Sequence, residues 1–261
     1  MGLRKKLLGL AVSLVAFNAL LWGLPKIAPE VPERYEGIMA ATPPPGTAAK
    51  TTAPPLPPGF PSMERPPPKI VVPDGQPQPI DTKFGLTYDI PADWRNFSGG
   101  YVTWTTGDES VTYGAIGDFG YKYCPETDGS TLAESGMTGR NGMDVYAAAL
   151  DAARGAEIIF GDTTAPPPVV AFAEPTEVEV AGQRAVRYTV SVTGIHQRQL
   201  CDPTEAIFDV VAMTAYATAP VAVFMIELHQ DVEGALDHSV ADQVISTIRR
   251  TDSKDGVGNG T

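Results

Sequence analysis

The chain has 261 residues and a net charge of −12; five of its 19 basic and two of its 31 acidic side chains fall in the first 35 residues, leaving 14 against 29 beyond. A surface so acidic, with no basic run interleaved with aromatics, disfavours a nucleic-acid partner and an anionic lipid surface. Once the terminal segments described below are set aside, about 180 residues remain, enough for one domain with a substantial core.

In chain order, Arg4-Lys5-Lys6 precedes Leu7 to Leu24, LLGLAVSLVAFNALLWGL, apolar except for Ser13 and Asn18. As a helix this segment spans about 27 Å, the short end of what a hydrocarbon core requires. The basic triplet places residues 1–6 in the cytoplasm by the positive-inside rule, and Trp22 falls near the far interface. A cleavable secretory signal begins in the same way, but it ends in small residues, and here the flank is Trp22-Gly23-Leu24-Pro25 with the nearest small-residue site at Met39-Ala40-Ala41. The reading adopted is an uncleaved transmembrane anchor over 7–24, which makes the protein single-pass in the cell membrane with its remainder extracytoplasmic.

Residues 25–79 carry Pro43-Pro44-Pro45, Pro54-Pro55, Pro57-Pro58 and Pro66-Pro67-Pro68 among Ala, Thr and Gly. Proline fixes φ and lacks a donor, so the segment is expected as a disordered, extended stalk reaching up to about 140 Å. A spacer across a wall layer is favoured over a ligand for a proline-reading module.

The domain is expected over residues 80–251, followed by a disordered tail, 252–261. Phe84, Leu86, Tyr88 and Ile90 alternate as in a half-buried strand ended by Pro91, and Trp94 reads as a core plug. Tyr101 to Thr106 and Val111 to Phe119 flank the turn signal Gly107-Asp108-Glu109, completing a meander. Asn141 is the expected N-cap of a helix whose Met143, Tyr146, Ala147 and Leu150 would face the sheet, with Gly155 as its stop. Thr176 to Val180 and Arg184 to Val192 pair around Ala181-Gly182-Gln183, and Ala206 to Thr218 pairs with Val221 to His229, whose VAVFMIEL is apolar on both faces and therefore central. A last helix is expected from Ala235 to Arg250, with Leu236, Val240, Val244, Ile245 and Ile248 inward and Arg249 and Arg250 complementing its dipole. The fold class is thus α+β: an antiparallel sheet with two main helices packed against it, preceded by the transmembrane helix and the proline-rich linker.

The strand ending in Ile90-Pro91 with Trp94 beyond, and the closing hairpin followed by the helix ADQVISTI, resemble actinobacterial membrane-anchored cell-envelope proteins whose domain is similar to the PsbP-like fold. The resemblance covers residues 80 to 251. It implies an adaptor-like envelope module and carries no functional residue over.

No catalytic, cofactor-binding or metal-binding residue is nominated. His196, His229 and His238 stand apart without paired ligand spacing, and Asp231, Glu233, Asp237 and His238 read as helix capping and solvation rather than a metal site. There is no G-x-S-x-G and no phosphate loop. Asn96-Phe97-Ser98 matches a glycosylation sequon by chance. Cys124, before Pro125, and Cys201, before Asp202-Pro203, are expected to form one disulfide in an oxidising compartment; two buried free thiols are the alternative. The functional expectation is a non-catalytic envelope module, attached to the membrane through its N-terminal helix and binding a protein or cell-wall partner. A hydrolase using a carboxylate pair and a purely structural spacer are the alternatives.

Overall fold

The computed structural model describes residues 67–251. The anchor over 7–24, most of the 25–79 stalk and the 252–261 tail lie outside them. Among the described residues no helix is long and apolar enough to cross a membrane.

Among the described residues, eleven antiparallel strands make two sheets. Three short ones, β1 (Gln78–Asp81), β2 (Leu86–Ile90) and β11 (Arg249–Arg250), form the smaller, in the order β1-β2-β11. The larger contains β3 (Arg95–Thr106), β4 (Glu109–Phe119), β5 (Ala133–Arg140), β6 (Val169–Phe172), β7 (Thr176–Val180), β8 (Gln183–Thr193), β9 (Glu205–Thr214) and β10 (Val221–Gln230). Its order is β3-β4-β5-β10-β9-β8-β6, with β7 also paired to β8. Strand β10 is central, as its two-faced apolar sequence requires. Its even-numbered residues Phe224, Ile226 and Leu228 join one buried cluster, and Val221, Val223 and Met225 join the other.

The first cluster lies beneath the small sheet and the helix α3 (Ser239–Ser246), where Tyr88, Trp94, Val244 and Ile248 meet Phe224 and Ile226. Trp94 is the core plug its position suggested, 4 % exposed. The second cluster is covered by α1 (Val145–Arg154), which bends at Gly155 and continues as α2 (Ala156–Ile159). The large sheet is therefore the middle of three layers, and the domain is mostly antiparallel sheet with two helices, one of them bent, packed on it.

Four expectations need correction. Strand β2 does not open the meander with β3 and β4 but leaves for the small sheet, because its alternate side chains Leu86, Tyr88 and Ile90 are all needed over the first cluster. The cap of α1 is Asp144, not Asn141: its Oδ1 accepts from the Ala147 amide at 2.8 Å. That shift turns the helix, so Ala148, Ala149, Ala152 and Ala153 face the sheet while Met143 and Tyr146 are exposed, alanine allowing the closest approach. Finally, α3 is half the expected length, and Arg249 and Arg250, rather than closing it, pair with Thr87 and Leu86. Arg249 Nη2 donates to Asp89 Oδ1 at 2.9 Å.

The β7–β8 hairpin turns where anticipated. Ala181 and Gly182 take φ of +55° and +72°, the two left-handed residues of a tight hairpin turn.

Candidate functional site

Strand register builds an unusual row across one face of the large sheet. Arg95 on β3 is opposite Asp118 on β4, Asp118 is opposite Glu134 on β5, and Glu134 is opposite Glu227 on β10. Four ionisable side chains thus stand side by side on the face that α1 and α2 cover. Arg95 neutralises the first carboxylate, its Nε donating to Asp118 Oδ1 at 3.0 Å and its Nη2 to Oδ2 at 2.6 Å. Its guanidinium also stacks over Tyr121, 3.5 Å from the ring centroid.

No such cation serves the other two. Glu134 and Glu227 are only 6 % and 2 % exposed, and Glu134 Oε1 and Glu227 Oε2 have no hydrogen-bond partner. Burial, reinforced by the charge of Asp118 and only partly offset by Arg95, pushes the Glu134 carboxyl up to about 8. Burial and then the neighbouring Glu134 hold Glu227 well above the ordinary range. The pair therefore holds on to protons well above the ordinary carboxyl range, since two adjacent buried charges cannot coexist without a counterion.

Two residues along β10, on the same face, is His229. Its Nδ1 lies 2.6 Å from the carbonyl oxygen of Thr131, which can only accept, so Nδ1 carries the proton. Burial lowers its basicity, keeping the ring neutral. The lone pair is left on Nε2, 3.8 Å from Glu227 Oε1.

These groups form the floor of a cleft of about 300 Å³. Trp104 and Phe160 contribute to its walls, and its rim comes from three loops: 120–132 after β4, 194–204 after β8 and the turn following α2. Side chains lace the loops together. Asp202 Oδ1 accepts from Thr127 Oγ1 at 2.7 Å, and Arg198 Nη2 donates to Asp162 Oδ2 at 2.8 Å. Hydrogen bonds from Thr164, and then from Arg198, hold the Asp162 carboxyl far below its usual range.

Cys124 and Cys201 sit on the first two of these loops as a disulfide-compatible pair, their Cα atoms 5.5 Å apart. With Glu126 they also bring three potential donor atoms within 4.8 Å of one another, the one such group among the described residues. A bridge between the sulfurs leaves no thiolate for a metal, so the group fits a crosslink rather than a metal centre.

The structure does not gather Asp231, Glu233, Asp237 and His238 into one site. Asp237 Oδ1 accepts from the Ser239 amide at 2.9 Å at the start of α3, and Asp231 Oδ2 accepts from Thr204 Oγ1 at 2.6 Å. His238 instead reaches back to β9, its Nε2 2.6 Å from Asp209 Oδ2, while Arg187 Nε donates to Asp209 Oδ1 at 2.8 Å. This buried carboxylate is fully partnered and ties α3 to the sheet. His196 lies on the cleft rim.

A larger cavity of about 420 Å³ opens beside Phe84 and the bulge at Ser98–Gly100. It carries no orphaned buried polar atom, whereas two of the three such side-chain atoms among the described residues belong to Glu134 and Glu227. The sequence reading passed over both glutamates. The signal was a charged residue within VAVFMIEL, because a strand buried on both faces does not keep a glutamate without cause.

Residues 68–253 match the family model described as a domain of unknown function, DUF8017. No curated protein matches the chain.

Proposed function

The chain belongs to the DUF8017 family, and we propose that it is a non-catalytic recognition module of the cell envelope, held to the membrane by Leu7 to Leu24 and binding a cell-wall component through the Glu134–Glu227 cleft. The anchor and its orientation rest on the sequence of the first 24 residues, and the likeness to PsbP-like envelope proteins supports an adaptor role.

One observation carries the non-catalytic reading. Glu134 and Glu227 are directly opposed across a strand pair, which sets their Cβ atoms about 5 Å apart and their carboxyls side by side on one floor. A glycoside hydrolase needs its two carboxyl groups on either side of the scissile bond, one of them ionised. Here burial holds both carboxyls well above the ordinary range, and the Ser130 and Thr127 hydroxyls of the cleft are engaged, donating to the Cys124 carbonyl and to Asp202. Such a floor can hold a ligand by hydrogen bonds but has little with which to cleave it.

The hydrolase reading keeps one supporting feature, the unprotonated Nε2 of His229 near Glu227. Purified full-length chain in detergent, incubated with isolated cell walls, separates the two. Co-sedimentation with the walls and no release of soluble fragments is the expected result; fragments released in proportion to protein and time would establish an enzyme, and failure to sediment would remove the wall-binding reading.

A further inference from the structure

We propose that the cleft ligand is a neutral saccharide unit, its hydroxyls bonded to the paired carboxyls of Glu134 and Glu227 and one sugar face laid against Trp104. The proposal rests on the reading of the domain as a wall-binding module and names the chemistry its cleft selects.

Three features of the cleft converge on that ligand. The first is the floor. Glu134 and Glu227 both line the cleft, and among the described residues neither carboxyl has a hydrogen-bond partner: one oxygen of each is sealed in the floor, and the other is left for a ligand to engage. A protonated carboxyl both donates and accepts. Two of them side by side offer alternating donors and acceptors, which adjacent sugar hydroxyls, also donors and acceptors, can match one for one. The neighbouring Nε2 of His229 adds a further acceptor.

The second feature is the wall. Trp104 is half-buried, edge-on to Tyr113 with the ring centroids 6.3 Å apart, and lines the same cleft as Phe160. Aromatic rings beside hydrogen-bonding groups suit a ligand that is apolar on one face and polar at its edges. A pyranose ring has that character, with C–H groups on its faces and hydroxyls around its rim.

The third is charge. Asp128, Asp162 and Asp202 stand on the rim against the single cation Arg198, which is already paired with Asp162. An anionic ligand meets net repulsion there. A cationic one is drawn to the same rim, which makes the deacetylated chitosan trimer the deciding competitor in the test below. The volume, about 300 Å³, accommodates one or two sugar rings.

The test uses the full-length chain in detergent, followed by tryptophan fluorescence and by displacement from isolated walls. The neutral probes are tri-N-acetylchitotriose, cellotriose and a galactan trisaccharide; the charged ones are trigalacturonate and the deacetylated chitosan trimer. At least one neutral probe should bind and displace the protein, more tightly than either charged probe. Trp104→Ala and Glu227→Leu should each weaken binding tenfold or more, whereas Trp104→Phe and Glu227→Gln, which keep a ring and a neutral donor-acceptor group, should stay within about threefold. Walls that hold the protein while no neutral probe competes, or tighter binding of a charged probe, would overturn the saccharide assignment and leave the wall-binding reading standing. A neutral probe that binds when walls do not would do the reverse. Equal binding by all four variants would move the ligand out of this cleft.

Discussion

Glu227 shows how one residue can be costly to the fold and still be kept. A glutamate on the central strand could be replaced by an apolar side chain of similar volume with a gain in stability, because its proton must be retained to keep it buried. The sign follows from linkage. Raised carboxyl pKa values mean that the native state binds more protons than the unfolded one above pH about 4.5, so the stability attached to the pair is fully present in acid and is lost as pH rises toward about 8. Glu134→Gln keeps the shape and removes the share of this dependence that Glu134 carries, leaving what burial imposes on Glu227. At pH 4 the variant should unfold at the wild-type denaturant midpoint, while at pH 8 it should be more stable, by up to about 4 kcal/mol from the size of the shift. Equilibrium urea unfolding at the two pH values checks this. A variant less stable than wild type at pH 8 would mean that the pair is ionised and held by Arg95.

At the scale of elements, periodicity made most of the strands legible and the cleft illegible. Strands β4, β7, β8, β9 and β10 follow from alternation and turn residues because each buries at least one face under a layer that the same residues specify. The helices were harder. In α1 the alanines that pack on the sheet give a weaker pattern than the exposed Met143 and Tyr146, and the side chain that caps the helix, Asp144, comes three residues after the Asn141 that resembles a cap. Register across β3, β4, β5 and β10 could not be read from one-dimensional order, since it joins residues as distant as 118 and 227, and it is register that makes the carboxyl row.

The cysteines illustrate the same limit from the other side. Their loop positions were visible, but not that both loops form the rim of one cleft. Closing a loop of 77 residues constrains the unfolded chain by up to about 4.5 kcal/mol on the chain-entropy argument, strain and residual structure reducing that figure. We therefore expect a disulfide in protein isolated from the envelope. Intact mass after alkylation under denaturing, non-reducing conditions should show no added label, and two labels would exclude the bridge. Cys124→Ser with Cys201→Ser should lower the melting temperature and weaken wall binding as the two loops part; a double variant with unchanged melting temperature and affinity would show that Asp202, Thr127 and Arg198 hold the rim unaided.

For the whole molecule, the distribution of charge and proline links the domain to its proposed place. The acidic excess lies beyond residue 35, and the proposed orientation, C-terminal side outward, rests on Arg4, Lys5 and Lys6 preceding the apolar run. The domain reports nothing about that span, so topology has to be tested separately from binding. Between Leu24 and the first strand at Gln78 the chain offers more than fifty residues, rich in proline, alanine and threonine, with Lys26, Arg34, Lys50 and Lys69 as cleavage points for trypsin. Trypsin added to intact cells carrying the full-length chain should release the compact domain, because a densely paired sheet resists cutting while an exposed linker does not. The fragment left in the membrane fraction should begin at the original N-terminus and retain Leu7 to Leu24. Protection of the domain until the cells are lysed would reverse the orientation. A mature protein in the medium without protease, starting near Ala40, would replace the anchor with a cleaved signal, and the cleft would then work on the wall without a tether.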